Sequence, residues 1–183
     1  MQQGPWHVLH VVANHEKQVV RHLSIRSVEH YLPLYTERSR WTDRIVTLER
    51  PLFLGYVFVH LTPQNKLALI STPGVIRLLG DSDTGIVTEE ELSRIREGLE
   101  SGCVLRPHPN VHSGTSVRVR AGVFAGVKGI VTQLRQSCRV VICLDAVKQS
   151  FSLEADLADV EVLRVPASGT EYNFGRSSAF VRA

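Results

Sequence analysis

The sequence predicts an α+β protein of two domains, and three observations carry that prediction. Strand-like and helix-like periodicities alternate up to about residue 100. All periodicity then lapses over 101–112, where Gly102, Pro107, Pro109 and Asn110 cluster. Beyond that stretch the chain is wholly β-like and is punctuated by Gly122, Gly126 and Gly129. The segments read as a first domain over 1–100, a semi-rigid linker over 101–112, a second domain over 113–165 and a flexible tail over 166–183.

Trp6 to Val12 predicts a first strand, and Asn14 offers a cap for a helix whose Val19, Val20 and Leu23 recur at helical spacing. Val28 to Thr36 reads as a second strand interrupted at Pro33, followed by a polar, basic hairpin tip over 38–44 and a strand from Ile45 to Leu48. In Arg50 to Val59, a proline break and an aromatic pair meet a strand around Gly55. Alternation there sends Tyr56 and Phe58 to one face and Val57 and Val59 to the other. Such a strand serves a core or a protein interface, and core is the commoner use. Thr62-Pro63 predicts a helix start with Thr62 as cap, and Pro73-Gly74 ends that helix before a strand over 75–79. Thr88 with Glu91 matches a capping box ahead of an apolar stripe of Leu92, Ile95 and Leu99. Five short strands within 113–165 then suggest a small barrel.

Composition narrows the class. The chain has 183 residues and is 43% hydrophobic, ample for packed cores, and its net charge of +3 permits nucleic-acid contact without requiring it. Cys103, Cys138 and Cys143 form no C-x-x-C pair and read as reduced thiols of a cytoplasmic protein. No stretch approaches the roughly 18 apolar residues of a membrane span, so no membrane role is expected.

The patterns that carry catalysis are missing: there is no G-x-S-x-G, and the loop over 122–129 has the wrong glycine spacing for a phosphate loop. His7 and His10 point to opposite faces of a strand, while His108 and His112 have no acidic or cysteine partners nearby in sequence. We expect no catalytic activity, no metal and no cofactor. The basic tip differs in kind: Arg38, Arg40 and Arg44 supply phosphate donors around Trp41, on which a base could stack. A solvated hairpin whose Trp41 packs back on the sheet explains the same residues equally well.

Taken together, these pieces resemble the NusG family of transcription elongation factors, which join an NGN domain to a KOW domain. The resemblance covers about residues 6 to 163. In the first domain it rests on Trp6, Glu16, Pro33-Leu34-Tyr35, Pro51-Leu52-Phe53, Gly55 to Val59, and Pro73-Gly74-Val75 before Leu79-Gly80. In the second it rests on Val117-Arg118-Val119, Gly122, Phe124, Gly126, Gly129 and Val131. It implies an RNP-like antiparallel sheet with flanking helices, followed by an SH3-like β-barrel. The first domain would dock on the clamp helices of the largest RNA polymerase subunit through Phe53, Leu54, Tyr56 and Phe58, with His10 bordering that surface.

By the same resemblance, Phe124, Ala125, Val127 and Lys128 would recruit a small-subunit ribosomal protein or Rho. The basic tip would face upstream or non-template DNA, and the protein would act as a monomer. Leu54 and Val123 stand where the family usually has prolines, and the segments Tyr31 to Arg50 and Val75 to Gly80 look closer to specialised capsule and polysaccharide-operon paralogues than to the housekeeping factor. A housekeeping factor coupling polymerase to Rho or the ribosome, and a ribosome-associated RNA-binding protein, are the alternatives. One group of paralogues carries a helical second domain. Here Val117, Val119, Val140 and Val141 are β-branched, and Gly122, Gly126 and Gly129 would each cost roughly 1 kcal/mol in a helix interior, so a β domain is expected.

Overall fold

In a computed structural model, residues 6–41, 43–80, 85–109, 114–134 and 138–164 are described. The predicted tail, the 81–84 loop and the end of the predicted linker lie outside them. The first part of the chain runs β1 (Trp6–Val11), α1 (Glu16–Ile25), β2 (His30–Tyr31), β3 (Leu34–Arg40), β4 (Ile45–Pro51), β5 (Tyr56–His60), α2 (Lys66–Ile70), β6 (Val75–Leu79), β7 (Ile86–Val87) and α3 (Glu89–Glu100). Its main sheet is antiparallel, in the order β2-β5-β1-β6, with β7 also paired to β1.

Period-two alternation divides the residues of this sheet between two cores. Leu9, Val11, Val57 and Val59 pack with Val19 and Leu23 of α1 and Leu69 of α2. Trp6, Val8 and Phe58 belong to the opposite cluster with Phe53 and with Leu92 and Ile95 of α3. β3 and β4 form a separate two-stranded hairpin, paired from Leu34 with Pro51 to Arg40 with Ile45.

The second part contains β8 (Leu105–His108), β9 (Thr115–Val119), β10 (Lys128–Leu134), β11 (Cys138–Leu144), β12 (Gln149–Ala155) and β13 (Val160–Arg164). These make one antiparallel sheet in the order β13-β9-β10-β11-β12-β8. The five expected strands are present, and the β expectation for this region holds over its described residues. Closure into a barrel is not found: β13 and β8 end the order and do not pair with each other among the described residues. β8 comes from the stretch read as linker. Leu105 pairs with Leu153 and is 2% exposed, so apolar burial orders a segment that has no periodicity of its own.

Other local expectations are corrected. Asn14 does not cap α1: it sits at φ 66, its N–H donates to Oε1 of Glu16, and His15 takes the cap position without a side-chain bond to the helix amides. The Thr62-Pro63 helix start is delayed to Lys66. Oδ1 of Asn65 accepts from Thr62 N at 2.8 Å and Nδ2 of Asn65 donates to His60 O at 2.9 Å, closing a turn before the helix begins. The strand expected over 28–36 splits at Pro33, which has no N–H for a ladder, and its two halves join different sheets. β5 is an interior strand, between β2 and β1. The capping box at Thr88 forms as expected, with Glu91 N donating to Thr88 Oγ1 and Glu91 Oε2 accepting from Thr88 N at 2.9 Å.

Candidate functional site

The turn from Leu52 to Gly55 links the hairpin to β5 and is held from both sides. Gly55 sits at φ +82, a region open to glycine, and its N–H donates to Oε1 of Glu16 at 2.6 Å. Glu16 is only 1% exposed, so its carboxylate is a buried acceptor dedicated to this turn and to Asn14. On the other side, Nε2 of Gln149 in β12 donates to Leu54 O at 3.0 Å. The Leu54-Gly55 peptide is therefore clamped between α1 and the second sheet.

This turn, β5 and the neighbouring β1 bring the five expected docking residues together, but with unequal access. Phe53 and Phe58 are fully buried, edge to face at 5.8 Å and 86°. Tyr56 is half-buried and stacks on His10 at 5.2 Å, and Leu54 is 50% exposed. Nδ1 of His10 is buried without a hydrogen-bond partner among the described residues. What covers Phe53 is Phe151 of β12, edge to face at 6.0 Å, and Phe151 in turn meets Phe124 at 5.8 Å.

Phe124 belongs to the 122–127 turn, which is tightened by bonds from Ala125 N to Gly122 O and from Gly126 N to Val119 O. Its ring is 4% exposed and lies against Gly98 of α3, while Ala125 and Lys128 are exposed and Val127 is half-buried. Both expected binding faces thus meet at one aromatic seam. A cleft of about 360 Å³ runs beside that seam, lined by Leu52, Leu54, Pro107, His108, Gln149 and Ser150.

The basic tip stands apart. Arg38 and Arg40 alternate outward on β3, Trp41 is 51% exposed, and the Arg44 guanidinium lies 5.9 Å above its ring. Trp41 does not pack back on a sheet. Arg50 is occupied by Glu37 at 2.5 Å, whereas Arg38 and Arg40 have no ion pair among the described residues. The base of the hairpin is tied down by Lys17 Nζ to Glu49 O at 2.9 Å, and by Arg106 of β8, which donates to Thr36 O and lies 5.1 Å above the Tyr35 ring.

Charge elsewhere is structural. The Tyr31 phenol is pushed up to about 12, mainly by burial, with the Arg96 guanidinium 4.8 Å over its ring opposing the shift. Glu89 is held below the usual carboxylate range, first by the hydrogen bond it accepts from the Trp6 indole. The described residues contain no cluster of three or more His, Cys, Asp or Glu suited to a metal. No helix is long and apolar enough to cross a membrane among them.

Sequence reasoning noticed Glu16 only as a matching residue and missed Gly98, Arg106 and Phe151. A glycine inside the strongest helix was the available signal, since it costs about 1 kcal/mol there relative to alanine and so points to a close approach.

A helix-flanked antiparallel sheet carrying an aromatic turn, joined to a second antiparallel sheet with its own aromatic turn, defines the class. The chain belongs to the NusG family: the profile of the family described as transcription termination factor nusG matches residues 4–96, half of the chain. Proteins of Chlamydia trachomatis serovar D and Chlamydia muridarum, both named transcription termination/antitermination protein NusG, are each 32% identical over 92 residues. That is 48% of this chain and 50% of each relative. The chain spans about half the length of these curated relatives. A structure titled "Domain interaction in Thermotoga maritima NusG" matches with a TM-score of 0.57 at 17% identity, over 87% of this chain and 97% of that one, a likeness of fold.

Proposed function

We propose that this protein is a non-catalytic transcription factor that binds RNA polymerase through its first domain and modulates pausing or termination. The single observation supporting this reading most is the grouping of Phe53, Leu54, Tyr56, Phe58 and His10 around one clamped turn, within the region that matches the family. Aromatic clusters of this kind, preorganised and rimmed by polar groups, anchor protein interfaces. The clamp helices of the largest polymerase subunit are the proposed target. The exposed Leu54 and half-buried Tyr56 make first contact, and Phe53 and Phe58 become available when the second sheet moves aside. Polymerase binding then favours one state of the clamp by differential affinity.

The second sheet is read as a KOW domain of SH3-like type, whose Phe124 turn, with Ala125, Val127 and Lys128, recruits a further protein: a small-subunit ribosomal protein or Rho. The hairpin arginines with Trp41 contact upstream or non-template DNA. Service of a few operons, rather than of all genes, is proposed from Leu54, Val123 and the form of the 31–50 segment. The test is pull-down of polymerase by the full chain against a Leu54→Asp/Tyr56→Ala variant, which spares the buried rings and keeps the fold. Loss of capture supports the reading; retained capture with unchanged affinity contradicts it.

A further inference from the structure

We propose that the β3-β4 hairpin is a two-stranded ribbon that enters the major groove of duplex DNA and reads guanine through Arg38 and Arg40. This rests on the reading that the hairpin meets DNA, and it selects duplex over single strand and base edges over phosphates alone. Alternation sorts the hairpin into two unlike faces. The paired rungs Arg38 with Thr47 and Arg40 with Ile45 share one face, and all four side chains are exposed, Ile45 at 70%. Ser39 and Val46 take the other face, with Trp41 and Arg44 beyond them, where the Arg44 guanidinium covers the Trp41 ring.

The first face is chemically selective. From Arg38 to Thr47 the chain holds three arginines against one acid, Asp43 in the turn. The acids of the two strands are kept away from the tip: Glu37 lies on the opposite face, paired with Arg50 at 2.5 Å, and Glu49 lies at the base, 3.8 Å from Lys17. Solvent therefore meets two guanidinium forks, a hydroxyl and an apolar side chain. These are the types that read base edges, since a fork matches O6 and N7 of guanine and an apolar contact matches the thymine methyl. Beside Arg40, Ile45 adds nothing to phosphate binding, whereas a thymine methyl would bury it.

The arm is also free to enter a groove. Its base is tied by Lys17 to Glu49 O and by Arg106 to Thr36 O. Beyond that rung no hydrogen bond or ion pair joins it to another element among the described residues. Paired strands lie about 4.8 Å apart, and the major groove of B-form DNA, about 12 Å wide, admits such a ribbon. Side chains two residues apart on a strand stand about 7 Å apart, close to two base-pair steps of about 3.4 Å each. Laid along the groove, Arg38 and Arg40 reach two guanines separated by one base pair, with Ile45 beside the second. A-form RNA offers no such fit, because its major groove is too deep and narrow for side chains to read. On arbitrary sequence the same guanidiniums rest on phosphates, which makes that binding salt-dependent.

The test uses the full chain with Arg40→Gln and, as a control on the other face, Arg44→Gln. Both positions are exposed, and far-ultraviolet circular dichroism confirms folding. Duplexes are selected from a library with a randomised centre. The selected duplex, a scrambled duplex, the separated strands and an RNA duplex of the same sequence are then titrated by fluorescence anisotropy. We expect a motif with two guanines one base pair apart, preferred about tenfold or more over the scrambled duplex. Glutamine pairs with adenine in the major groove, so Arg40→Gln should move one position of the selected motif from guanine to adenine. Arg44→Gln should weaken binding to all duplexes alike and move no base.

Duplex binding with no preferred sequence overturns the groove reading and leaves the DNA contact standing. A motif that Arg40→Gln leaves unchanged overturns the role given to the arginines, and tighter binding to the single strands or the RNA duplex overturns the choice of occupant. No salt-dependent binding to any of these overturns the DNA contact and the groove reading together, while capture of polymerase is decided separately.

Discussion

Glu16 shows how one buried side chain sets the aim of a surface. Its carboxylate accepts from the N–H groups of Gly55 and Asn14 at 1% exposure, so removing it strands a buried donor in the turn that carries Leu54. Glu16→Ala should lower the free energy of unfolding by about 1–3 kcal/mol, read from urea titrations. Glu16→Gln, which keeps an acceptor oxygen, should lose less. Glu89 gives a pH signature. Its carboxyl is held below its ordinary range, first by the Trp6 indole, so its contribution is present above the unfolded pKa and is lost as pH falls through the folded one. Glu89→Gln should flatten the acid limb of a stability-against-pH curve, and an unchanged limb would remove the Trp6 contact from the account.

At the scale of elements, what could be read in advance depended on whether the deciding contacts were local. The α3 boundary was legible because Thr88 and Glu91 cap each other three residues apart. Thr88→Ala should cost about 1 kcal/mol, checked by thermal or urea unfolding. The start of α2 was not legible, because Asn65 bonds to His60 O and Thr62 N and holds the chain in a turn where proline and a hydroxyl advertise a helix. The basic hairpin was legible as a polar tip between strands. Its freedom from packing was not, since only the fold shows Trp41 half-exposed beneath Arg44. Replacing Arg38, Arg40 and Arg44 by alanine should weaken DNA binding and reduce the log–log salt slope by roughly two to three, if each meets one phosphate. An unchanged slope would take the hairpin out of the nucleic-acid account.

The whole molecule adds a relation that no segment contains. The alternation in 56–59 identified Tyr56 and Phe58 as sharing a face, and they do, but nothing local says that Phe151, almost a hundred residues away, lies across it. The stretch over 101–112 read as a linker because β8 has no period of its own and gains its order from pairing with β12. Barrel closure was expected from strand count, whereas the described sheet stays open between β13 and β8.

Energetically the seam is modest. Burying a phenylalanine is worth about 1.5–3 kcal/mol, and edge-on ring pairs add roughly 0.5–1.5 kcal/mol each. A few such contacts, beside an open cleft of about 360 Å³, can keep the two parts together and still yield to a partner of ordinary affinity.

The proposed function requires the clamped 52–56 turn to meet RNA polymerase. Leu54 is the most exposed of the docking residues, so a photoreactive amino acid in its place, irradiated with polymerase, reports the contact directly. One crosslinked product is expected, mapped by mass spectrometry to the clamp helices of the largest subunit. A protein that binds polymerase but crosslinks elsewhere, or not at all from position 54, would contradict it.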